Sequence, residues 1–346
     1  MIQVMNQTIQ SSLIPIMEIR ELKKYFPVRK GFLKKQVGTV KAVDTIDIDL
    51  FAGKTLGLVG ESGCGKSTFG RCILRAIEPT SGRIHIHLDK KYSLLDLNRK
   101  DLRAFRKHMQ MIFQDPNSSL DPRMTISDII AEPIKANYYL KKKEIEVKVE
   151  KLMQIVGLNP SQLYRYPHAF SGGQRQRIGI ARALASEAKI IVCDEAVSAL
   201  DVSVQAQIIN LLKELQKKYK LTFLFISHDL SVVEYLSDRV AVMYLGKIVE
   251  IGSTEEVFYN PKHPYTEALL SAVPKGFNNK KEEKIILRGE IANPANTPSG
   301  CTFHTRCMYV KESCKINSPN LEITSNDHFV SCHLYKDFHL RGITRR

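Results

Sequence analysis

Gly60-Glu61-Ser62-Gly63-Cys64-Gly65-Lys66-Ser67-Thr68 is the stretch that decides the fold. Its spacing, G-x-x-x-x-G-K-[ST], is that of a phosphate-cradling P-loop. Gly60, Gly63 and Gly65 let backbone N–H groups crowd phosphate oxygens with no Cβ in the way, and Ser62 and Cys64 complete the cradle. A helix starting at the end of the loop adds the positive end of its dipole. Lys66 supplies a point charge for β and γ phosphates, and the Ser67 hydroxyl suits Mg²⁺. The flanks agree with this reading. Leu56-Gly-Leu-Val59 reads as a short buried strand before the loop, and Phe69 to Ile77 as a helix after it.

Outward from the loop, strands alternate with helices. Ile16 to Leu22 and Ala42 to Leu50 alternate as strands around a basic, glycine-containing excursion, Pro27 to Lys41. Apolar strands are expected at 109–113, 190–193 and 221–226, and helices over 126–158, from Ser171 to about Ser186, and over 206–219. Val240–Tyr244 and Lys247–Glu250 bracket Leu245-Gly246 as a hairpin. The pattern predicts an α/β fold, a mostly parallel sheet covered on both faces, with an added antiparallel piece.

Two further constellations carry chemistry. Ile190-Ile-Val-Cys193 ends in Asp194-Glu195. A carboxylate at the carboxyl end of a parallel strand lies at the crevice of such a fold. Asp194 there suits the Mg²⁺ coordination shell, and Glu195 suits the general base that polarises an attacking water. Ser171-Gly172-Gly173-Gln174 opens a helix and offers a second anion site at a helix start.

The P-loop, Gln114, Ser171-Gly-Gly-Gln174, Asp194-Glu195, Ser198-Ala-Leu-Asp201 and His228 occur in the order of an ABC-type ATPase. The chain resembles that family from about Met17 to Gly252. In finer wording it resembles the oligopeptide/dipeptide importer ATPases, the F-type subunit especially. Met109-Gln-Met-Ile-Phe-Gln-Asp-Pro116, Arg165-Tyr-Pro-His-Ala-Phe170 before the serine, Ser227-His-Asp-Leu230 and His263-Pro-Tyr-Thr266 carry that likeness.

The resemblance implies roles. Gln114 would sense Mg²⁺ and water and link to the membrane subunit. Asp201 would work across a dimer interface, and His228 would contact the γ-phosphate. Phe26, with Tyr25 close behind, would stack on adenine. Ser171, Gly172, Gly173 and Gln174 would meet a nucleotide held by a partner's P-loop, so that two chains sandwich two ATP molecules head to tail. Two departures are visible: Phe170 stands where many relatives have leucine, and Ala196 where a proline commonly follows the acidic pair. Neither removes a catalytic group.

The implied fold class is an ABC-type P-loop NTPase with an antiparallel β subdomain and a helical subdomain at about 115–180. Domain bounds are expected at 1–16 for a flexible tail, 17–255 for the ATPase and 256–346 for a cysteine-bearing extension. Pro274–Lys284 and Asn293–Gly300 read as linkers.

In that extension Cys301, Cys307, Cys314 and Cys332 are spaced C-x₅-C-x₆-C-x₁₇-C. Four thiolates suit a [4Fe–4S] cluster or Zn²⁺. The spacing lacks the C-x₂-C pairs usual in zinc ribbons. The tail resembles that of peptide-importer ATPases, some of which carry an iron–sulfur cluster; zinc and free thiols remain open. His304, His328 and His333 are nearby substitutes as ligands.

The chain has 346 residues, 43% hydrophobic and 25% charged, which is the composition of a globular protein with length for about two domains. No apolar run of about twenty residues is present to span a membrane. The first residues lack the basic and apolar regions of a secretory signal, so a cytoplasmic location is expected. The net charge of +15 admits anionic partners, but no tryptophan is present and no stacking aromatics interleave the basic runs, so no nucleic-acid partner is expected.

The leading expectation is an ATPase subunit on the cytoplasmic face of the cell membrane, energising uptake of oligopeptides or dipeptides with Mg-ATP. Its expected partners are a second, paralogous ATPase, two transmembrane permease subunits and an extracytoplasmic solute-binding protein. The rivals are the same engine importing another solute such as nickel, a soluble ABC ATPase acting on nucleic acid or ribosomes, and an iron–sulfur-gated regulator.

Overall fold

Strands alternating with helices define the chain path in the computed structural model, which describes residues 14–31, 35–273, 285–287, 289, 292–325 and 327–343. The path opens with β1 (Pro15–Lys30), β2 (Lys35–Phe51), β3 (Thr55–Val59), α1 (Lys66–Ile73), β4 (Ser81–His87) and β5 (Lys91–Ser93). It continues through α2 (Arg99–Phe105), β6 (Met109–Ile112), α3 (Ile126–Asn137), α4 (Lys142–Ile155), α5 (Gly172–Leu184), β7 (Ile190–Asp194), α6 (Val202–Tyr219) and β8 (Thr222–Ile226). It closes with α7 (Leu230–Leu236), β9 (Arg239–Tyr244), β10 (Lys247–Ser253), α8 (Thr254–Tyr259), α9 (Pro264–Ser271), α10 (Glu312–Ile316), β11 (Glu322–Ser325) and β12 (His328–Val330).

Two compact units result. The first takes the described residues of 1–51, 56–92 and 228–346. In it β1 lies antiparallel to both β2 and β4, in a sheet of order β2-β1-β4-β5. The alternating positions Met17, Ile19, Ile46, Ile48, Ile84 and Ile86 are buried, as period-two patterning demands of a sheet with one covered face. A second run of strands, β11-β12-β10-β9-β3, joins β3 to β9 in parallel, Leu56 opposite Arg239 and Val59 opposite Val242, with antiparallel pairs beyond. The hairpin turn falls at Leu245-Gly246, both at positive φ (44° and 81°).

The second unit holds residues 52–55 and 93–227. Its strands β6, β7 and β8 are parallel, with Met109 opposite Ile190 and Ile190 opposite Thr222. Every residue of β7 and β8 is buried, which is why these strands read as unbroken apolar runs rather than alternation. Helices α2 to α6 complete this unit.

Three sequence expectations change. The excursion from Pro27 to Lys41 is paired strand in its described part: Pro27 meets Thr39 and Val28 meets Gly38 in the β1–β2 ladder. Cross-strand pairing overrides the weak local signal of its charged residues. The helix after the P-loop begins at Lys66 and stops at Ile73, because Arg75 takes a left-handed conformation (φ 49°) that a helix cannot continue through. Of the expected tail, Pro15 and Ile16 already belong to β1, and residues 1–13 lie outside the described residues. The first expected linker, 274–284, also lies outside them.

Candidate functional site

In the first unit β3 runs into the loop, and α1 leaves it. Gly60 (φ 152°) and Gly65 (φ 111°) sit where a Cβ would lie 2.2 Å from the Met243 carbonyl oxygen and 2.0 Å from that of Ala42. Only glycine fits at either place, so the tight path depends on them. Gly65 is the N-cap of α1 and offers no side chain to its first amides. Those amides stand at the positive end of the helix dipole, where an anion is favoured.

The Lys66 side chain is buried and donates to the Gly60 and Glu61 carbonyls at 2.7 and 2.9 Å. Ser67 and Thr68 follow in the first turn, half-buried, while Ser62 and Gly63 are exposed at the loop tip. Cys64 is buried, and burial pushes its thiol up, so it remains a neutral loop residue.

Phe26 is exposed, with the Lys24 ammonium 4.8 Å above its ring. The Tyr25 hydroxyl is engaged by Asp44, which together with burial raises its pKa. Phe26 thus presents an exposed ring, whereas the Tyr25 ring is anchored through its hydroxyl. His228 is exposed in the segment between β8 and α7.

In the second unit, Asp194 is the last residue of β7 and is buried. Glu195 turns through a left-handed conformation (φ 49°), its N–H donating to the Ile226 carbonyl at 3.0 Å. Gln114, just beyond β6, donates from Nε2 to Glu195 Oε2 at 2.8 Å. An amide 81 residues away in sequence thus holds the carboxylate expected to act as base.

Ser171 caps α5. Its hydroxyl accepts from the Gln174 N–H at 3.3 Å, and the Gln174 side chain accepts from the Ser171 N–H at 3.0 Å. This reciprocal pair is a capping box. Asp201 caps α6, accepting from the Val204 N–H at 2.9 Å and the Ser203 hydroxyl at 2.7 Å. The Val204 N–H is the chief cause that holds its carboxyl below the usual range, so it is ionised at neutral pH. Gly173 lies where a Cβ would meet Val204 Cγ1 at 2.4 Å, and Gly172 packs near Leu200. The signature-like turn and the Asp201 turn therefore form one cluster.

All seven cysteines are unbridged. Cys301, Cys307, Cys314 and Cys332 line a single enclosed space of about 20 Å³ in the first unit, room for about one water. Burial pushes the Cys307 thiol up to about 11 and the Cys332 thiol to about 12, with the neighbouring thiols adding to it. Among the described residues no three His, Cys, Asp or Glu side chains form a site for a single metal ion. The four thiols are soft donors of the kind an iron–sulfur cluster or zinc takes, but they are not gathered here as the ligands of one metal ion.

Of the three candidate histidines, His304 and His333 line that space, with ring nitrogens against the carbonyls of Cys301 and Asn317. His328 does not; it is buried on Glu250 at 2.7 Å and is removed as a candidate ligand.

Sequence reasoning missed Glu61, Tyr265 and Arg306 as a group. Arg306 binds the Glu61 carboxylate through both terminal nitrogens, and the Tyr265 hydroxyl accepts from the Glu61 N–H. No local pattern announces a pair 245 residues apart.

Comparison with known proteins bears on this geometry. Residues 43–198 match the ABC transporter family, and residues 249–314 match the oligopeptide/dipeptide transporter C-terminal region. The chain is 54% identical over 323 residues to the oligopeptide transport ATP-binding protein AppF of Bacillus subtilis (strain 168), covering 92% of this chain and 97% of that one. The chain belongs to the ABC transporter ATP-binding family.

This ABC ATPase is also 50% identical to the oligopeptide transport ATP-binding protein OppF of Escherichia coli (strain K12), over 92% of its own length and 95% of the relative's. Among solved structures it resembles the dimeric ATP-binding cassette MJ0796 bound to ADP and Pi, with a TM-score of 0.60 and 25% identity over 69% of this chain and 98% of that one. The P-loop, the Gln114–Glu195 pair and the Ser171 cap all belong to this ABC ATPase. Among the described residues no helix is long and apolar enough to cross a membrane.

Proposed function

We propose that this chain is the ATP-hydrolysing subunit of an importer of oligopeptides or dipeptides, peripheral on the cytoplasmic face of the cell membrane. The observation that carries this reading is the match, in one chain, to the ABC transporter family and to the oligopeptide/dipeptide transporter C-terminal region. The near full-length likeness to oligopeptide transport ATP-binding proteins supports it. Its partners are two transmembrane permease subunits, a second, paralogous ATPase and an extracytoplasmic solute-binding protein.

The proposed chemistry uses the residues described above. Lys66, Thr68 and the first amides of α1 bind the phosphates of ATP, and Phe26 stacks on adenine. Ser67, Gln114 and Asp194 hold Mg²⁺. That ion, when bound, neutralises the charge that builds on the transferred phosphoryl group. Glu195 takes the proton of the attacking water, and the amide of Gln114, bonded to that carboxylate, sets its orientation. His228 contacts the γ-phosphate. Ser171, Gly172, Gly173, Gln174 and Asp201 complete the site of the partner ATPase, in a head-to-tail dimer whose closure and reopening drive the permease.

Cys301, Cys307, Cys314 and Cys332 hold a [4Fe–4S] cluster, with Zn²⁺ as the second reading. The absence of C-x₂-C pairs favours the cluster.

Both readings are tested on one sample. The tagged chain is purified under strict anaerobiosis from mild-detergent membrane extracts, its partners are identified by mass spectrometry, and its metals and acid-labile sulfide are assayed. Two polytopic membrane proteins with a second ATPase, and iron with equal sulfide, are expected. Soluble partners alone from well-expressing cells remove the transport reading. Iron and sulfide both absent remove the cluster, and zinc in their place establishes the second reading.

A further inference from the structure

We propose that the cysteine-bearing extension positions the P-loop, with Arg306 acting through Glu61 to set the loop geometry on which ATP affinity depends. Glu61 is the second residue of the loop, and each of its polar groups is held. Its carboxylate accepts from Arg306 Nη1 and Nη2 at 2.6 and 3.0 Å. Its N–H donates to the Tyr265 hydroxyl at 2.8 Å. Its carbonyl accepts from Lys66 Nζ at 2.9 Å and from the Cys64 N–H at 3.3 Å. A chain of contacts thus runs from Arg306 through one loop residue to the lysine that meets the phosphates.

The Arg306 side chain is 6% exposed and that of Glu61 23%. The fork-to-carboxylate pairing is planar and directional, so it constrains orientation as well as distance. Arg306 is itself braced. Its N–H donates to the Phe303 carbonyl at 3.0 Å, and the Phe303 ring packs against Tyr244 at 5.3 Å and Tyr265 at 5.4 Å between centroids. It immediately precedes Cys307, so the segment that carries the cysteines is the same segment that carries the clamp. Arg306 is a positioning residue: it touches the loop, not the phosphates.

A small displacement of the loop is enough to matter, because phosphate binding by backbone N–H groups and Lys66 depends on all of them converging at once. The proposal rests on the loop being the nucleotide site, and its test separates the two. Dissociation constants for a non-hydrolysable ATP analogue, with KM and kcat for ATP, are measured on the full-length chain and on Arg306→Gln, Arg306→Lys, Glu61→Gln and the Arg306→Gln/Glu61→Gln double variant.

Arg306→Gln is expected to weaken analogue binding about five- to twenty-fold, with KM rising in step and kcat changing less than about threefold. Arg306→Lys, which keeps the charge and loses the fork, is expected to recover part of the loss. The double variant is expected to bind no worse than the weaker single one. An Arg306→Gln chain that binds within about twofold of wild type overturns the proposal. So does a fall in kcat with affinity unchanged, or penalties that simply multiply in the double variant. If Arg306→Gln does not fold, Arg306→Lys and Glu61→Gln carry the same comparison. A wild-type chain that binds no nucleotide overturns both the loop reading and this one.

Discussion

Single residues here work by being held in conformations that the chain elsewhere avoids. Glu195 lies in the left-handed region at φ 49°, which costs a residue with a Cβ about 1–2 kcal/mol. Its N–H is tied to Ile226 and its carboxylate to Gln114, so the turn is over-determined and the side chain has one aim. Glu195→Gln is nearly isosteric and removes only the basic oxygen. Turnover should fall by about 10²–10⁴-fold while ATP remains bound, read as product release against retained nucleotide in a filter-binding assay. Full turnover in that variant would remove Glu195 as the base. At this scale much was legible in the sequence: Asp194-Glu195 after an apolar strand, and Lys66-Ser67-Thr68 after glycines, are contiguous. The hydrogen bond from Gln114 was not, because nothing local links positions 114 and 195.

Among elements, the contact between α5 and α6 passes through Gly173, whose missing Cβ leaves room for Val204 Cγ1. Both helices start there with polar caps, Ser171 on one and Asp201 on the other. Gly173→Ala should force Val204 aside and cost about 1–3 kcal/mol, seen as a lowered Tm. Adding Val204→Ala removes the clashing methyl and should recover much of the loss. If the single variant melts with wild type, the close approach is not a constraint. The sequence carried the caps, since Ser171 and Gln174 lie three apart and their reciprocal bonding is a local matter. It missed the stop of α1 at Ile73, and it read the span from Pro27 to Lys41 as an excursion, because the β1–β2 ladder that orders its ends joins residues from separate segments.

Over the whole molecule, the C-terminal extension is built into the first unit. β12 adds to β10, with Glu250 opposite Val330 and Ile251 opposite Phe329. Glu250, fully buried, anchors this joint. It accepts from the N–H groups of Lys262 and His263 at 2.6 and 3.0 Å and lies 2.7 Å from His328 Nε2. Glu250→Ala should leave two backbone donors and a histidine without that acceptor and cost about 3–5 kcal/mol, measured by denaturant or thermal unfolding. Glu322→Ala, on the exposed strand β11, should stay within about 0.5 kcal/mol. Equal effects of the two would show that the buried carboxylate is not a joint.

What the sequence determined by itself is what contiguous residues can encode. The glycine-lined loop before a helix, the acidic pair at a strand end, the capped signature turn and the Leu245-Gly246 hairpin each follow from dihedral freedom, capping and apolar runs within a few positions. The tertiary structure decided which distant groups meet: Gln114 with Glu195, Glu250 with His328, and Arg306 with Glu61. Those pairs lie 81, 78 and 245 residues apart. Their meeting depends on strand order and register, which are set by burying apolar faces across the whole chain and leave no trace in the local sequence on either side.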